Sequence, residues 1–403
     1  MLKGKTVLLC VSGSIAAYKS AALASMLVKK GAKVHVLMTQ HAVNFINPIT
    51  FETLTGHKCL VDTFDRNFEF SVEHVGLAKA ADVVMVAPAS ANVIGKLAHG
   101  IADDMVTTTV MACKCRKLLS PAMNTNMYEN PILQDNLETC RRYGMEVIVP
   151  ARGYLACGDT GAGKMPEPEV LFEFIMREVG YPRDLAGKRI LVTAGPTREA
   201  IDPVRYITNH STGKMGYAIA KTAAYRGAEV TLVTGPVNLP APLFVNTVPV
   251  VSARDMFQAV TGCSQDQDII VKAAAVADYR PGMAATEKMK KKEERLTMEL
   301  VPTDDILRWL GEHRRPGQYL CGFSMETQHM LEYSRGKLKS KHLDMIVANN
   351  LKVEGAGFGT DTNLVTLITK DGEQELPMMG KEEVADRLLT EILRNLPGEI
   401  LDL

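Results

Sequence analysis

Thr6-Val-Leu-Leu-Cys-Val11, followed by Ser12-Gly-Ser14 and a helical pattern that closes at Lys30-Gly31, decides the fold of this chain. An almost unbroken apolar run of that length reads as a strand buried on both faces. Leu23, Met26, Leu27 and Lys30 then keep helical spacing over about residues 15–30, and Gly31 stands where a helix-ending glycine belongs. Val34 to Thr39 is a second strand, so the chain opens as strand, helix, strand. Asp82 to Ala87 is another apolar run, residues 118–123 and 145–149 predict further strands, and a helix around Val170 to Glu178 closes the region. The polar stretch Tyr181 to Lys188, carrying Pro182 and Gly187, is a junction, after which the pattern restarts with a strand at Arg189 to Thr193. A long loop, a helix from about Lys214 to Arg226, Gly227-Ala228 and the strand Glu229 to Thr234 follow. Strands and helices alternating in both halves imply two α/β domains with mostly parallel sheets, meeting near residues 180–188.

Composition narrows the function classes. The 403 residues suit two or three domains of about 150 residues. Lys and Arg total 46 and Asp and Glu total 46, a zero net charge that argues against a nucleic-acid or membrane-surface partner and leaves small ligands. The eight cysteines form no CxxC pair and no disulfide framework, the usage of a reducing compartment. The apolar core near the start, Val7 to Val11, is shorter than the roughly 7–15 residues of a secretory signal, and no run reaches the roughly 18 of a membrane span. The expectation is a cytoplasmic protein.

In parallel sheets, ligands sit at the carboxyl ends of strands, in the loops that enter helices. Gly13-Ser14 follows the first strand in that position, where a helix start attracts phosphate; a tight turn with a serine N-cap is an equal reading. The GxGxxG dinucleotide fingerprint is missing. Ala87-Pro-Ala-Ser-Ala-Asn92 follows the third strand with small side chains that leave room for a flat group. Pro121-Ala-Met-Asn-Thr-Asn-Met-Tyr128 follows another short apolar run, and His74 lies in Ser71-Val-Glu-His-Val-Gly-Leu-Ala78. Gly158-x4-Gly163-Lys164 nearly matches a P-loop, but Met165 stands where the magnesium-binding Ser or Thr belongs and no strand feeds it, so the stretch Gly153 to Met165 reads as a Gly-rich flap carrying Cys157. In the second half, Asn209-His-Ser-Thr-Gly-Lys-Met-Gly216 enters a helix that Ser211 or Thr212 can cap. Ala273-Ala-Ala-Val-Ala-Asp-Tyr-Arg-Pro281 reads as a buried strand ending in Asp278, and Lys288-Met-Lys-Lys-Lys292, alone, as a solvated charge run. Cys113-Lys-Cys115 lacks metal-ligand partners and reads as structural.

Taken in order, these segments resemble a family of bifunctional coenzyme A biosynthesis proteins that join phosphopantothenoylcysteine decarboxylase to phosphopantothenate–cysteine ligase. Seven motifs in the family's order cover nearly the whole chain. The resemblance implies two Rossmann-like α/β domains, 1–182 of the flavin-dependent cysteine decarboxylase type and 183–403 the ligase. For the first it implies FMN, with Gly13, Ser14, Ile15, Thr39, Ser90, Asn92 and Ala122 at cofactor positions, His74 as base in the oxidation, Asn124 on the substrate carboxylate and Cys157 as proton donor in the reduction. For the second it implies CTP with Mg²⁺ carried on the nucleotide phosphates and no assigned metal ligands, 4′-phosphopantothenate activated as an acyl-cytidylate, and cysteine as the attacking amine. Asn209 and Lys288 then serve catalysis, and Ala274, Asp278, Lys288, Asp304, Asp305, Ile306, Leu307, Phe323, Lys337 and Lys341 match nucleotide positions. A homo-oligomer follows too, with flavin sites between decarboxylase subunits (trimers), ligase dimers and a dodecamer as the combined arrangement. Tyr128, where the family often has Trp, and the extra Lys292 are departures.

Three rival readings remain. A monofunctional flavoprotein whose second half only senses nucleotide predicts no pyrophosphate release, and Asn209, Asp278 and Lys288 count against it. A non-enzymatic flavin-binding relative predicts losses at His74, Asn124 or Cys157, all of which are present. A nicotinamide-dependent dehydrogenase lacks its fingerprint and has no use for Lys288.

Overall fold

Thr6–Val11 forms the strand β1, and the side chains of Val7, Leu8, Leu9, Cys10 and Val11 are wholly buried. Burial of each of the larger apolar ones contributes about 1.5–3 kcal/mol before the entropy cost of ordering is counted. This is seen in a computed structural model that describes residues 2–63, 73–156, 158–291, 296–325, 329–349, 353, 357 and 359–396. The chain divides into two compact units, Met1–Pro182 and Arg183–Leu403.

In the first unit β1 pairs in parallel with β2 (Lys33–Met38) and with β3 (Val83–Ala89), and β4 (Arg116–Pro121) and β5 (Glu146–Val147) extend the same parallel sheet. The order β2-β1-β3-β4-β5 reverses direction between β1 and β3. At such a switch point the loops after the two strands diverge and leave a crevice. The helix Ala17–Lys29 buries Leu23, Ala24 and Leu27 and ends before Gly31, whose φ of 89° needs glycine. Outside the sheet, β6 (Ala151–Tyr154) and β7 (Thr160–Lys164) form an antiparallel hairpin. The Gly-rich stretch is therefore strand, turn, strand, and not the strand, loop, helix of a phosphate-binding loop.

The second unit is built on β8 (Arg189–Ala194). A small hairpin of β9 (Arg198–Ala200) and β10 (Tyr206–Thr208) follows, then β11 (Glu229–Thr234), β12 (Val245–Pro249) and β13 (Ile269–Lys272). The pair β14 (Tyr279–Pro281) and β15 (Leu300–Pro302) precedes β16 (Tyr319–Met325) and β17 (Met345–Asn349), and β18 (Thr362–Asn363), β19 (Val365–Thr369), β20 (Glu373–Glu375) and β21 (Met379–Gly380), which pairs with β18, complete the described set. The main sheet runs β12-β11-β8-β13-β16-β17-β19-β20, parallel as far as β17 and antiparallel over its last two pairings. Its switch point lies between β8 and β13. Ile219, Ala223, Leu388 and Ile392 pack on one face of the sheet, and Met256, Val260, Leu310 and Leu338 on the other. Among the described residues no helix is long and apolar enough to cross a membrane.

Three expectations are corrected. The strand before Asp278 is only Ile269–Lys272, and the alanine run leaves the sheet. Two of its N–H groups turn instead to side chains across the carboxyl edge, Ala274 to Thr193 Oγ1 at 3.1 Å and Ala277 to Thr197 Oγ1 at 3.0 Å, and Ala275 N–H donates to Gly195 O at 2.9 Å. Neither Ser211 nor Thr212 caps the helix Lys214–Tyr225; the cap position is Gly213 at φ 78°, with no side-chain bond, and Ser211 Oγ accepts from Gly213 N–H at 3.3 Å. Ser14 likewise does not cap the helix Ala17–Lys29, because its Oγ accepts from Ala16 N–H at 3.3 Å within the turn.

Candidate active sites

In the first unit the loops after β1, β2, β3 and β4 carry Gly13 to Ile15, Thr39, Ser90 with Asn92, and Ala122, so every residue expected at a flavin lies at one edge of one sheet. The loops are tied together beneath that edge. Ser12 Oγ donates to Pro88 O at 2.7 Å and accepts from Ser90 N–H at 2.9 Å, and Ala122 N–H donates to Ala89 O at 3.1 Å. A Cβ on Gly13 would stand 2.8 Å from His41 Cβ, so the β1 and β2 loops approach at a distance only glycine permits. Ile15 is 58% and Tyr18 63% exposed. Apolar groups of that size left open at a polar edge are what a flat ring system covers.

Asn124 begins the single helical turn Thr125–Tyr128, its Oδ1 accepting from Asn126 N–H at 2.8 Å. Three consecutive residues of this loop are hydrogen-bonded to the β6–β7 hairpin. Met123 N–H donates to Gly163 O at 3.0 Å, Asn124 Nδ2 to Asp159 Oδ2 at 3.1 Å and Thr125 Oγ1 to Ala162 O at 2.8 Å. Close approach depends on glycine, since a Cβ on Gly163 would sit 2.4 Å from Met123 O and one on Gly161 2.4 Å from Thr125 Oγ1. At the far end of the hairpin, Lys19 is buried and donates to Met165 O at 3.0 Å and to Glu167 Oε1 at 2.8 Å. Cys157, at the hairpin turn, lies outside the described residues. His74 is half-buried on the helix Glu73–Ala80, and among the described residues no hydrogen bond joins it to Asn124 or to the cofactor loops.

The hairpin contacts make a direct prediction. Gly163→Ala forces a side chain against Met123 O at a φ of 119°, so the flap is expected to undock and turnover at the first unit's site to fall at least about tenfold, with turnover at the second unit's site unchanged. Steady-state rates at the two sites on one preparation measure it; a parental rate at the first site would mean the docked flap plays no part.

In the second unit a cavity of about 360 Å³ opens at the switch point between β8 and β13. It brings together Asn209, Ala274, Asp278 and Phe323. Asn209 Nδ2 donates to Ala275 O at 2.9 Å, fixing the loop after β10 to the alanine run. Gly216 lets the helix Lys214–Tyr225 press on β8, where a Cβ would meet Ala194 Cβ at 2.6 Å, and the start of that helix lines the cavity.

Two lysines that sequence reading missed line the same cavity. Lys272 Nζ donates to Ala274 O at 3.2 Å; burial and then the charge of Lys341 bring its pKa down to about 8, against the pull of Asp305 and Asp278. Lys381 is buried, donates to Gly357 O at 2.9 Å and is likewise brought down to about 8 by burial and by Lys214. An isolated Lys at the end of a strand or the start of a helix looks like a surface charge, which is why neither stood out.

The remaining expected residues lie outside the cavity lining. Asp305 begins the helix Ile306–His313, accepts from Arg308 N–H at 3.0 Å and pairs with Lys341 Nζ at 2.9 Å; Lys341 and Lys337 both act on Lys272. Ile306 and Leu307 are buried in the core, so only their backbone is available to a ligand. Asp304 and Lys288 are exposed. The neighbour of Lys288 is anchored: Met289 N–H donates to Asp202 Oδ2 at 3.2 Å and Arg205 Nη2 donates to Met289 O at 2.7 Å. Arg205 also holds the Asp202 carboxyl well below the usual range. Among the described residues no group of three His, Cys, Asp or Glu side chains forms an ion-sized set.

Residues 1–180 match the family described as Flavoprotein, and residues 185–396 match the DNA/pantothenate metabolism flavoprotein C-terminal domain. The coenzyme A biosynthesis bifunctional protein CoaBC of Bacillus subtilis (strain 168) is 48% identical over 398 residues, covering 97% of each chain. The protein of the same name from Escherichia coli (strain K12) is 42% identical over 395 residues, again covering 97% of each. Among solved structures, the C-terminal domain of a coenzyme A biosynthesis bifunctional protein CoaBC is 52% identical over 52% of this chain and 96% of that one, with a TM-score of 0.44.

Proposed function

The chain belongs to the family of bifunctional coenzyme A biosynthesis proteins, and from that membership we propose which half carries which step and with which nucleotide and flavin. The protein is a bifunctional enzyme, a phosphopantothenoylcysteine decarboxylase and phosphopantothenate–cysteine ligase, and a flavoprotein. In the proposed reading, residues 183–403 join cysteine to 4′-phosphopantothenate at the expense of CTP, and residues 1–182 decarboxylate the product to 4′-phosphopantetheine. The observation that carries it is that each main sheet gathers candidate residues along the carboxyl edge of its parallel strands, around its own switch point, with Asn209, Ala274, Asp278 and Phe323 lining one cavity there in the second.

In the ligase half the carboxylate of 4′-phosphopantothenate attacks the α-phosphorus of CTP, pyrophosphate leaves and an acyl-cytidylate forms. Charge grows on phosphate oxygens, and fixed ammonium groups facing them lower the barrier. Lys272 lines the cavity for that task, and Lys288 on its anchored segment reaches the phosphates from outside it. The start of the helix Lys214–Tyr225, with no side-chain cap, favours an anion in the same place. Asn209 then orients the amine of cysteine, which displaces CMP. Magnesium rides on the nucleotide phosphates.

The residues of the first unit fit FMN: small loops at the switch point, a glycine that permits close approach and an uncovered apolar rim. Gly13, Ser14, Ile15, Thr39, Ser90, Asn92 and Ala122 would hold it. Bound there, the flavin supplies two-electron oxidation of the substrate's thiol-bearing carbon and the later return of those electrons. Asn124 holds the substrate carboxylate, the hairpin excludes water, His74 removes a proton during the oxidation, and Cys157 supplies one during the reduction. His74 reaches this site in an oligomer whose flavin sites lie between subunits, the decarboxylase units forming trimers and the ligase units dimers.

Lys272 makes the nucleotide step sensitive to pH. In the free protein it loses its charge as pH rises through about 8, and a triphosphate beside it restores the charged form. Nucleotide binding therefore takes up a proton above pH 8, and CTP affinity is expected to fall by up to about tenfold per pH unit from there toward pH 10. Calorimetry in buffers of different ionisation heat measures it, and Lys272→Met is expected to weaken the dependence, with Lys381 on the same cavity, also brought down to about 8, supplying what remains. A dependence that persists unaltered in that variant would assign the titration to another group.

Pyrophosphate release tests the ligase assignment. With CTP, Mg²⁺ and 4′-phosphopantothenate but no cysteine, about one equivalent per site is expected, and CMP should leave only when cysteine is added. Release that ignores phosphopantothenate would sink the acyl-cytidylate.

A further inference from the structure

We propose that Asp159, on the flap, is a positioning residue of the decarboxylase site: it orients the Asn124 carboxamide and sets a second carboxylate beside that of the substrate as carbon dioxide leaves. The inference rests on the reading of Asn124 given above and extends it. Its basis is the hydrogen bond from Asn124 Nδ2 to Asp159 Oδ2 at 3.1 Å, flanked by the bonds of Met123 and Thr125 to the same hairpin. Asn124 Oδ1 is already engaged by Asn126 N–H at 2.8 Å, so the carboxamide is held from both ends and its nitrogen faces the flap. A substrate carboxylate bound by that nitrogen therefore shares a donor with the carboxylate of Asp159.

Asp159 is exposed at the protein surface, where two like charges held a few ångströms apart still repel each other more strongly than in bulk water. In the step itself, the bond between the substrate's Cα and its carboxyl carbon breaks. The electron pair stays with Cα and is delocalised onto the sulfur, carbon dioxide leaves neutral, and no proton moves. The oxidation that makes this possible is the flavin's, from the step before. Negative charge thus departs from the carboxyl carbon, so Asp159 raises the energy of the bound carboxylate more than that of the transition state. Because Asp159 arrives with the hairpin, the repulsion is applied only when the flap is docked and Asn124 is oriented. The sequence shows Asp159 only as one polar residue in a Gly-rich loop; its partner lies 35 positions away.

The test uses the full-length flavin-loaded protein and phosphopantothenoylcysteine, with carbon dioxide release followed at varied substrate. Asp159→Asn keeps a hydrogen-bonding side chain and removes the charge. It is expected to lower kcat at least tenfold and to lower KM severalfold, whereas loss of a mere structural tie would raise KM. Asp159→Glu, which keeps the charge, is expected to recover most of kcat. Parental kcat and KM in Asp159→Asn would overturn the proposal, and so would a raised KM at unchanged kcat, or a Glu variant as slow as the Asn one. Flavin absorbance and the ligase rate of each variant report whether the protein is intact. A parental protein that releases no carbon dioxide would sink the decarboxylase reading beneath the proposal, a result distinct from any failure of Asp159.

Discussion

Asn124→Ala is expected to slow decarboxylation of phosphopantothenoylcysteine by at least about 100-fold while the ligase half keeps its parental rate. Removing one preorganised donor from a charged reacting group costs about 10²–10³ in turnover, and Asn124 is held in place before the substrate arrives. The N–H of Asn126 grips its oxygen and Asp159 its nitrogen. Truncation removes the proposed carboxylate donor and one of three flap contacts together, so the loss should exceed that of either function alone. In the proposed reading ligation belongs to the other unit, Arg183–Leu403. Carbon dioxide release and pyrophosphate release, measured on the same preparation, separate the two. Parental carbon dioxide release would remove Asn124 from the site; an equal fall in both activities would indicate a folding defect.

Asn209→Ala is expected to leave pyrophosphate release within a fewfold of parental and to slow amide formation about 100-fold, so that the acyl-cytidylate accumulates. Asn209 Nδ2 is committed to Ala275 O at 2.9 Å, which turns the other end of the carboxamide away from the alanine run. Its Oδ1 makes no hydrogen bond among the described residues, and the side chain lines the cavity. An acceptor so placed orients the N–H of an incoming amine and directs its lone pair to the acyl carbon, a positioning effect that acts after activation. Rapid quench with labelled CTP reads the intermediate. Loss of pyrophosphate release equal to the loss of product would move Asn209 to the activation step.

The parallel strands were legible because a strand buried on both faces must be largely apolar, and β1 begins with its apolar or β-branched run while β8 and β11 begin one charged residue, Arg189 and Glu229, before theirs. The same rule misled at Ala273 to Ala277, where small apolar residues imitate a strand. What bonds that backbone is the hydroxyls of Thr193 and Thr197 together with Gly195 O, about 80 positions away, which no local pattern reveals. Capping was misjudged at Ser14 and Ser211 for a related reason: each hydroxyl serves its own turn two residues on. The hairpin Ala151–Lys164 read only as a flap, since its five residues of β7 include two glycines and its partner is the distant Met123–Thr125 loop. Asp159, Lys19, Lys272 and Lys381 owe their importance to burial or to remote partners, and polar residues alone in a sequence carry neither.

Mass spectrometry of one mixture tests the account most directly. The full-length flavin-loaded protein is combined with 4′-phosphopantothenate, cysteine, CTP and Mg²⁺, and samples are drawn over time. A transient phosphopantothenoylcysteine is expected, followed by 4′-phosphopantetheine, lighter by one carbon dioxide, with pyrophosphate and CMP formed in equal amounts. Phosphopantothenoylcysteine that accumulates without loss of carbon dioxide, or a mixture in which neither product forms with CTP, would contradict it.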